Sequence, residues 1–312
     1  MCPSDAPNPP TPTGHQSPDW QASSLPRAAG EGSCSPSANQ PIGLIAGNGT
    51  LPLLVADGIL HAGNQLCCIG LADQYDRTLP ARCSHFQQVG IARLGKWIRS
   101  LRKWNVTTAV MVGGVEHHRK YRRFQFLHYL PDLRAARLWY RTLSRDRRTG
   151  TMLTALADEL QRNGITLIDN RTYIPDHLAT PGLMTQTQPP AGVTADIDFG
   201  WPLFNDAVQL GIGQSMAVRC RDVIAFEASE GTDAMIARAG DLCSRRPWVF
   251  FKTCSIDHDM RADVPTIGVQ TIQNIHEAGG KVIVLGSGRV IMLDKPDVLR
   301  AAEQLGIAIL GM

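Results

Sequence analysis

At 312 residues the chain is long enough for one large domain or two ordinary ones, and 43% hydrophobic with 19% charged residues is typical of a globular protein. The net charge of +3 is too small to indicate nucleic-acid binding by itself, and no apolar run approaches the ~20 residues of a membrane-spanning helix. The eight cysteines show neither CxxC pairs nor the Cys/His spacing of a zinc site. They predict reduced thiols in the cytosol, with Cys67 and Cys68 in a buried apolar run.

Residues 1–39 are predicted to be a disordered tail. They are rich in Pro, Ser, Ala, Asn and Gly, and they lack a periodic apolar pattern. No basic segment is followed by an apolar one, so we predict no signal peptide. The fold is expected to comprise residues 40–180 and 185–312, separated within the Pro-rich stretch at 175–190.

Strands alternate with helices in the first domain, which predicts a parallel, Rossmann-like sheet. The predicted strands are 41–46, 66–71, 86–89, 108–112 and 165–169, and the predicted helices are 51–62, 94–104 and 151–163. Glycine-rich turns follow the first strand, at Gly47, Asn48 and Gly49, and the fourth, at Gly113, Gly114 and Val115. Both turns are expected at one edge of the sheet, where backbone N–H groups can approach a phosphate. A tight β–α turn without a ligand explains the first turn equally well, because it lacks the third glycine of a dinucleotide fingerprint.

A basic, aromatic stretch runs from Arg119 to Arg148. It carries ten Arg or Lys residues against Asp132 and Asp146. Phosphate contact with base stacking is one interpretation, and an anionic lipid or membrane surface is another. A solvated basic helix is the third, and we expect no nucleic-acid partner.

The second domain is predicted to be α/β as well. A hairpin of strands 216–219 and 223–227 follows a helix at 195–210, whose interior contains the helix-disfavouring Pro202. The remaining predicted strands are 248–251, 282–285, 290–293 (returning from the preceding strand) and 307–310. The remaining helices are 232–242, 269–278 (preceded by 264–267) and 296–305.

The stretch from Phe226 to Gly268 concentrates charge at the ends of predicted strands. Its acidic residues surround Lys252, Arg261 and His258; they are Glu227, Glu230, Asp233, Asp257, Asp259 and Asp263. Carboxylates beside cations are what metal-assisted chemistry on a phosphate requires. Solvated loops with a helix cap are the simpler explanation for any one residue, but the cluster as a whole favours a functional site.

Eight short segments recur in a fixed order along the chain. They are IGLIAGNGTLP (42–52), LGKWI (94–98), VGGV (112–115), DLRAARL (132–138), GQSMAV (213–218), EASEGTDAM (227–235), DMRADVPTIG (259–268) and GRVIMLD (288–294). Individually they are weak, but in this order they resemble the UDP-2,3-diacylglucosamine pyrophosphatases of lipid A synthesis, from about Ile42 to Gly311.

The resemblance implies a Rossmann-like domain, a C-terminal catalytic α/β domain and a substrate cleft between them. It implies that water attacks the pyrophosphate of UDP-2,3-diacylglucosamine with Mg²⁺ or Mn²⁺ as cofactor, giving UMP and lipid X. The implied catalytic residues are Asp259, Asp263, Lys252 and Arg261, with Asp233, Asp259 and Asp263 as metal ligands. The implied substrate-binding residues are Gly47, Asn48, Gly49, Gly113, Gly114, Val115, Gln214, Glu230, Gly231, Thr232 and Thr266.

The resemblance also implies a cytoplasmic protein that is peripheral on the inner face of the inner membrane. It leaves the oligomeric state open, with a homodimer among the alternatives. The chain departs from the family where Ser255, Ile256 and His258 replace a lysine, a proline and a glutamine. Two other functions therefore stay open: an NAD(P)- or nucleotide-sugar-binding protein, and a non-catalytic UDP-lipid-binding paralogue. A separate metal site of Glu116, His117, His118 and His258 is disfavoured, because adjacent histidines point in different directions.

Overall fold

The computed structural model describes residues 39–72, 74–114, 131–140, 149–244, 246–261 and 264–312. The described chain forms two compact units. The first unit contains residues 39–177 together with Asp257–Val264, and the second contains Leu178–Ile256 and Pro265–Met312. The predicted tail and most of the basic stretch lie outside the described residues.

The first unit is built on a five-stranded sheet. Its strands are β1 (Pro41–Ala46), β2 (Gln65–Leu71), β3 (His85–Val89), β4 (Thr108–Val112) and β5 (Thr166–Leu167). Their order is β3-β2-β1-β4-β5 and every pair is parallel, which confirms the predicted Rossmann-like sheet. The helices are α1 (Leu51–His61), α2 (Leu94–Lys103), α3 (Leu133–Leu138) and α4 (Thr149–Gln161).

Continuous apolar runs explain why β1 and β2 lie at the centre of this sheet. A strand buried on both faces carries apolar residues at successive positions, whereas a half-exposed strand alternates. Ile42, Leu44 and Ile45 of β1 are fully buried, and so are Cys67 and Cys68 of β2, as predicted. The unit therefore presents its polar groups at the sheet edges and on the helices.

The second unit contains a mixed six-stranded sheet and a separate pair of short strands. Its strands are β6 (Gly182–Leu183), β7 (Ser215–Arg219), β8 (Asp222–Phe226), β9 (Val249–Lys252), β10 (Thr266–Ile267), β11 (Val282–Leu285), β12 (Ile291–Met292) and β13 (Ala308–Gly311). The large sheet has the order β6-β13-β11-β9-β7-β8, in which β9, β11 and β13 are parallel. The helices are α5 (Thr194–Gln209), α6 (Thr232–Leu242), α7 (Val269–Glu277) and α8 (Lys295–Gln304).

Two local predictions in this unit have opposite outcomes. The hairpin is confirmed, because β7 pairs antiparallel with β8 through Cys220 and Arg221, whose φ angles of 54° and 57° suit a two-residue hairpin turn. The prediction that residues 290–293 return beside β11 is wrong, because β12 instead pairs parallel with β10. A strand of two residues is too short for its sequence pattern to indicate which strand it pairs with.

Helix α5 continues through Pro202, which is exposed. Burial of Ile197, Phe204 and Val208 against the sheet offsets the hydrogen bond that proline removes. Among the described residues, no helix combines the length and the apolar character needed to cross a membrane.

Candidate active site

The two predicted glycine turns meet at the carboxyl edge of the first sheet. The backbone N–H groups of Asn48 and Gly114 each donate to the other residue's carbonyl oxygen, at 2.8 and 2.9 Å. The Gly47 N–H donates to the carbonyl oxygen of Val112 at 2.8 Å. The expectation that both turns lie at one edge is therefore confirmed.

Glycine is required at this edge because two backbones approach each other. A Cβ on Gly47 would lie 2.6 Å from the Gly114 carbonyl oxygen, and one on Gly113 would lie 2.7 Å from the carbonyl carbon of Gly47. Gly113 and Gly49 also have φ angles of 97° and 99°, which L-residues rarely adopt. The turns hold each other in place and leave the exposed residues Asn48, Gly49 and Gly114 at the edge.

Lys252 ends β9 as a buried cation that is 4% exposed. Its Nζ donates to Thr232 Oγ1 at 2.8 Å and lies 3.9 Å from Glu227 Oε2. Glu227 also accepts from the Thr232 hydroxyl at 3.1 Å and from the hydroxyl of Ser215, which is fully buried. These contacts fix the ammonium group in one position, as stabilisation of charge on a phosphoryl oxygen requires.

The residues around the turn that precedes α6 lie in different environments. Gly231 has a φ of 86° and precedes Thr232, the first residue of the helix. Glu230 pairs with Arg238 at 2.5 Å, and its own backbone N–H, more than Arg238, holds the pKa of Glu230 below its usual range. Asp233 is exposed and accepts from Asn274 at 3.0 Å, so its carboxylate faces α7.

Asp259 and Arg261 form a bidentate pair within one turn of chain. Arg261 donates from Nε to Oδ1 at 2.8 Å and from Nη2 to Oδ2 at 2.6 Å, and its backbone N–H donates to Oδ1 at 3.1 Å. The side-chain hydrogen bond from Arg261 lowers the pKa of Asp259, and Asp259 raises the pKa of Arg261. Asp259 therefore stays ionised at neutral pH and is held in a defined orientation.

This pair is anchored to the first unit through Asn170. Asn170 is 1% exposed, and its backbone N–H donates to the carbonyl oxygen of Met260 at 3.3 Å. With its amide nitrogen turned toward the carbonyl oxygens of Arg261 and Met111, it donates to both at 3.1 Å. Asn170 lies between Asp169 and Arg171, which repeat the same Asp-x-Arg pairing, with Nε–Oδ1 at 3.0 Å. Two matching turns therefore meet through Asn170.

Models of two protein domains match almost the whole described chain. The LpxI N-terminal domain matches residues 41–177, and the LpxI C-terminal domain matches residues 180–310. The chain is 30% identical over 279 residues to UDP-2,3-diacylglucosamine pyrophosphatase LpxI of Caulobacter vibrioides, which covers 87% of this chain and 97% of that protein.

The chain belongs to the LpxI family.

In this LpxI protein the residues predicted as catalytic are divided between the two units. Lys252 belongs to the second unit with Gln214, Thr232 and Thr266, whereas Asp259 and Arg261 belong to the first unit with the glycine turns. The Gln214 carbonyl oxygen accepts from the Thr253 N–H at 3.2 Å, which joins the start of β7 to the end of β9. Val115 and Asp263 lie outside the described residues.

The residues described in this LpxI chain do not by themselves assemble a metal site. Among them, no three carboxylate, imidazole or thiolate groups are placed to hold a metal ion. Both oxygens of Asp259 accept from Arg261, and Asp233 accepts from Asn274. We therefore assign no catalytic step to a metal ion.

Sequence patterns alone do not identify three partners of the candidate residues. Glu227 stands out only as part of the acidic cluster, and nothing in the local pattern marks Ser215 or Asn170. Ser215 begins β7, which is buried at four successive positions, and its contact with Glu227 depends on the pairing of β7 with β8. The Asp-x-Arg repeat at 169–171 and 259–261 was a signal that could have revealed the two facing turns.

Proposed function

We propose that this protein hydrolyses the pyrophosphate bond of UDP-2,3-diacylglucosamine, giving UMP and lipid X in lipid A biosynthesis. The observation that carries the proposal is the match over both LpxI domains, together with a relative named as this pyrophosphatase that is aligned over 87% of the chain. The geometry agrees with this chemistry, because a hydrogen bond and an ion pair hold Lys252, and several hydrogen bonds hold the Asp259–Arg261 pair.

In the proposed reaction, one water molecule adds to a phosphorus atom and the bridging P–O bond breaks. Lys252 is the buried cation suited to neutralise charge that develops on a phosphoryl oxygen. Asp259 is the ionised carboxylate suited to orient the water, and Arg261 keeps it ionised and aligned. The glycine turns offer close backbone approach for the uridine or phosphate end of the substrate.

We further propose that hydrolysis depends on Mg²⁺ or Mn²⁺. The support for this is the anionic substrate, whose phosphoryl oxygens are ligands that such hard cations prefer. Activity is expected to disappear in excess EDTA and to return when Mg²⁺ or Mn²⁺ is added. Full activity after exhaustive chelation would contradict the dependence.

We also propose that the protein works in the cytoplasm and docks peripherally on the inner face of the inner membrane. The support is the acylated substrate, whose two chains partition into lipid while its nucleotide stays in water. Flotation with vesicles that contain the substrate lipid tests this, with UMP release from detergent-solubilised substrate as the reference.

A paired substitution tests the hydrolase directly. UMP release from UDP-2,3-diacylglucosamine is expected for the native protein and is expected to fall at least ~100-fold in Asp259→Asn, because one ionised carboxylate is removed from the chemistry. Asp169→Asn removes the matching Asp-x-Arg pair in the same unit and is the control. Equal losses in both variants would show that the pairing is structural, and no UMP release by the native protein with either metal would overturn the function.

A further inference from the structure

Arg289 follows the glycine-rich turn at the carboxyl end of β11. The Gly286 N–H donates to the Lys252 carbonyl oxygen at 2.9 Å, so this turn adjoins the end of β9. Strands β9 and β11 are parallel neighbours, and ligands of such sheets bind outside the carboxyl ends of the strands. Arg289 therefore stands at the same edge as the buried Lys252.

The contacts of Arg289 leave its positive charge without a carboxylate. Nη1 donates to the Cys254 carbonyl oxygen at 2.9 Å, and Nη2 reaches Asn205 Oδ1 at 3.5 Å. The guanidinium carbon lies 5.9 Å from the ring centroid of Trp201. All these partners are neutral, and within the described parts of the chain no ion pair includes Arg289.

This arrangement is costly unless an anion completes it. Burial lowers the pKa of Arg289, which means that the surroundings disfavour its charged form. By contrast, Arg82, Arg162, Arg171, Arg238, Arg261 and Arg300 each pair with a carboxylate. A guanidinium carries five N–H donors, and among the residues that the structure describes only Nη1 and Nη2 of Arg289 have acceptors.

The neighbours of Arg289 hold its side chain in a fixed position. Asn205 donates to the Trp201 carbonyl oxygen at 2.8 Å, which orients its Oδ1. Ser255 donates to Gln209 at 2.6 Å, so the chain after β9 is tied to α5 by two separate contacts, through Ser255 and through Arg289. A side chain fixed in this way loses little conformational entropy when it binds a ligand.

We propose that Arg289 binds a phosphate group of the substrate at the carboxyl edge of the second sheet, the edge at which β9 ends with Lys252. The proposal rests on the proposed function for the identity of the substrate, but the chemistry it requires is only a phosphoryl group. The forked donors of arginine match two phosphoryl oxygens, which a lysine cannot reproduce.

The experiment measures binding of three probes to the full chain by calorimetry: inorganic diphosphate, UMP and 2,3-diacylglucosamine 1-phosphate in detergent. Arg289→Gln is expected to weaken at least one of them by about tenfold or more, because a charged hydrogen-bond donor to phosphate is lost. The two product probes show which phosphate of the substrate Arg289 contacts. Arg246→Gln, at an exposed arginine of the same unit, is the control and is expected to change affinity less than about twofold.

Two further measurements test the proposal even if Arg289→Gln does not fold. Arg289→Lys keeps the charge without the fork and is expected to lose affinity as well. In the native protein, the bound probe is expected to slow modification of Arg289 by phenylglyoxal, seen by peptide mass spectrometry.

Unchanged affinity in the Arg289 variants, no binding of any probe to the native protein, or equal modification with and without ligand would overturn the proposal. Binding that depends on Arg289 in a protein that releases no UMP would instead overturn the hydrolase and leave this site standing.

Discussion

Lys252 and Glu227 form an ion pair that water barely reaches. The side chains are 5% and 14% exposed, and Thr232 bridges them with hydrogen bonds to both. Removing one member of a buried pair leaves the other charge without compensation, which costs more than the pair itself contributes. The pair therefore links the position of a candidate catalytic cation to the stability of the second unit.

Substitution of this pair gives a prediction at the residue scale. Lys252→Met and Glu227→Gln are each expected to lower the free energy of unfolding by about 3 kcal/mol, and the double variant by at least ~1 kcal/mol less than their sum. Urea denaturation of the four proteins measures this cycle. The exposed pair of Arg300 and Asp297 is the control, and Arg300→Met is expected to cost at most about 0.5 kcal/mol. Additive losses at Lys252 and Glu227 would show that the two charges do not interact.

At the scale of elements, the sequence was most informative where a segment is long and its pattern is continuous. The apolar runs of β1 and β2 and the amphipathic pattern of α2 place these elements correctly. The pairing of short strands was not predictable in the same way. Strand β12 has only two residues, and its pairing with β10 depends on the segments that surround both strands in the fold. Periodicity predicts which face of an element is buried, whereas pairing between short elements depends on contacts distant in sequence.

The glycine turns give a prediction at this scale. Gly47→Ala is expected to lower the free energy of unfolding by about 2 kcal/mol, because the new Cβ meets the backbone oxygens of Gly113 and Gly114 at 2.8 and 2.6 Å. Gly114→Ala is the matched control, since its Cβ would meet no atom within 4 Å, and a change below about 0.5 kcal/mol is expected. Equal losses in the two variants would contradict the close-approach argument. If substrate packs on this turn, Gly114→Ala raises KM while stability is unchanged.

At the scale of the whole molecule, the two units are not two continuous stretches of the sequence. Asp257–Val264 lies between β9 and β10 in sequence, yet it belongs to the first unit. The charge pattern identified Asp259 and Arg261 as a local group, but nothing local in the sequence shows that their loop binds Asn170. This contact becomes visible only in the folded structure, where the Asn170–Met260 hydrogen bond joins residues about ninety positions apart in the sequence.

Asn170 therefore gives a prediction that concerns how the first unit holds its own distant segment, Asp257–Val264. Asn170→Ala removes the side-chain donors to the carbonyl oxygens of Arg261 and Met111. Peptides that cover residues 256–261 are expected to exchange their amide hydrogens faster, while peptides from β9 and β11 keep their protection. The kcat for UMP release is expected to fall at least ~10-fold, because Asp259 is no longer held in place.

The control for this substitution is Asn163→Ala, in the same unit, which removes a side-chain donor to the Glu159 carbonyl oxygen at 2.7 Å. It is expected to leave both exchange at 256–261 and kcat unchanged, because Asn163 contacts neither Asp259 nor Arg261. If Asn170→Ala leaves exchange at 256–261 as slow as in the native protein, the loop is held by other contacts. If exchange rises without a loss of kcat, the position of Asp259 does not limit the reaction, and the assignment of Asp259 to the chemistry is weakened with it.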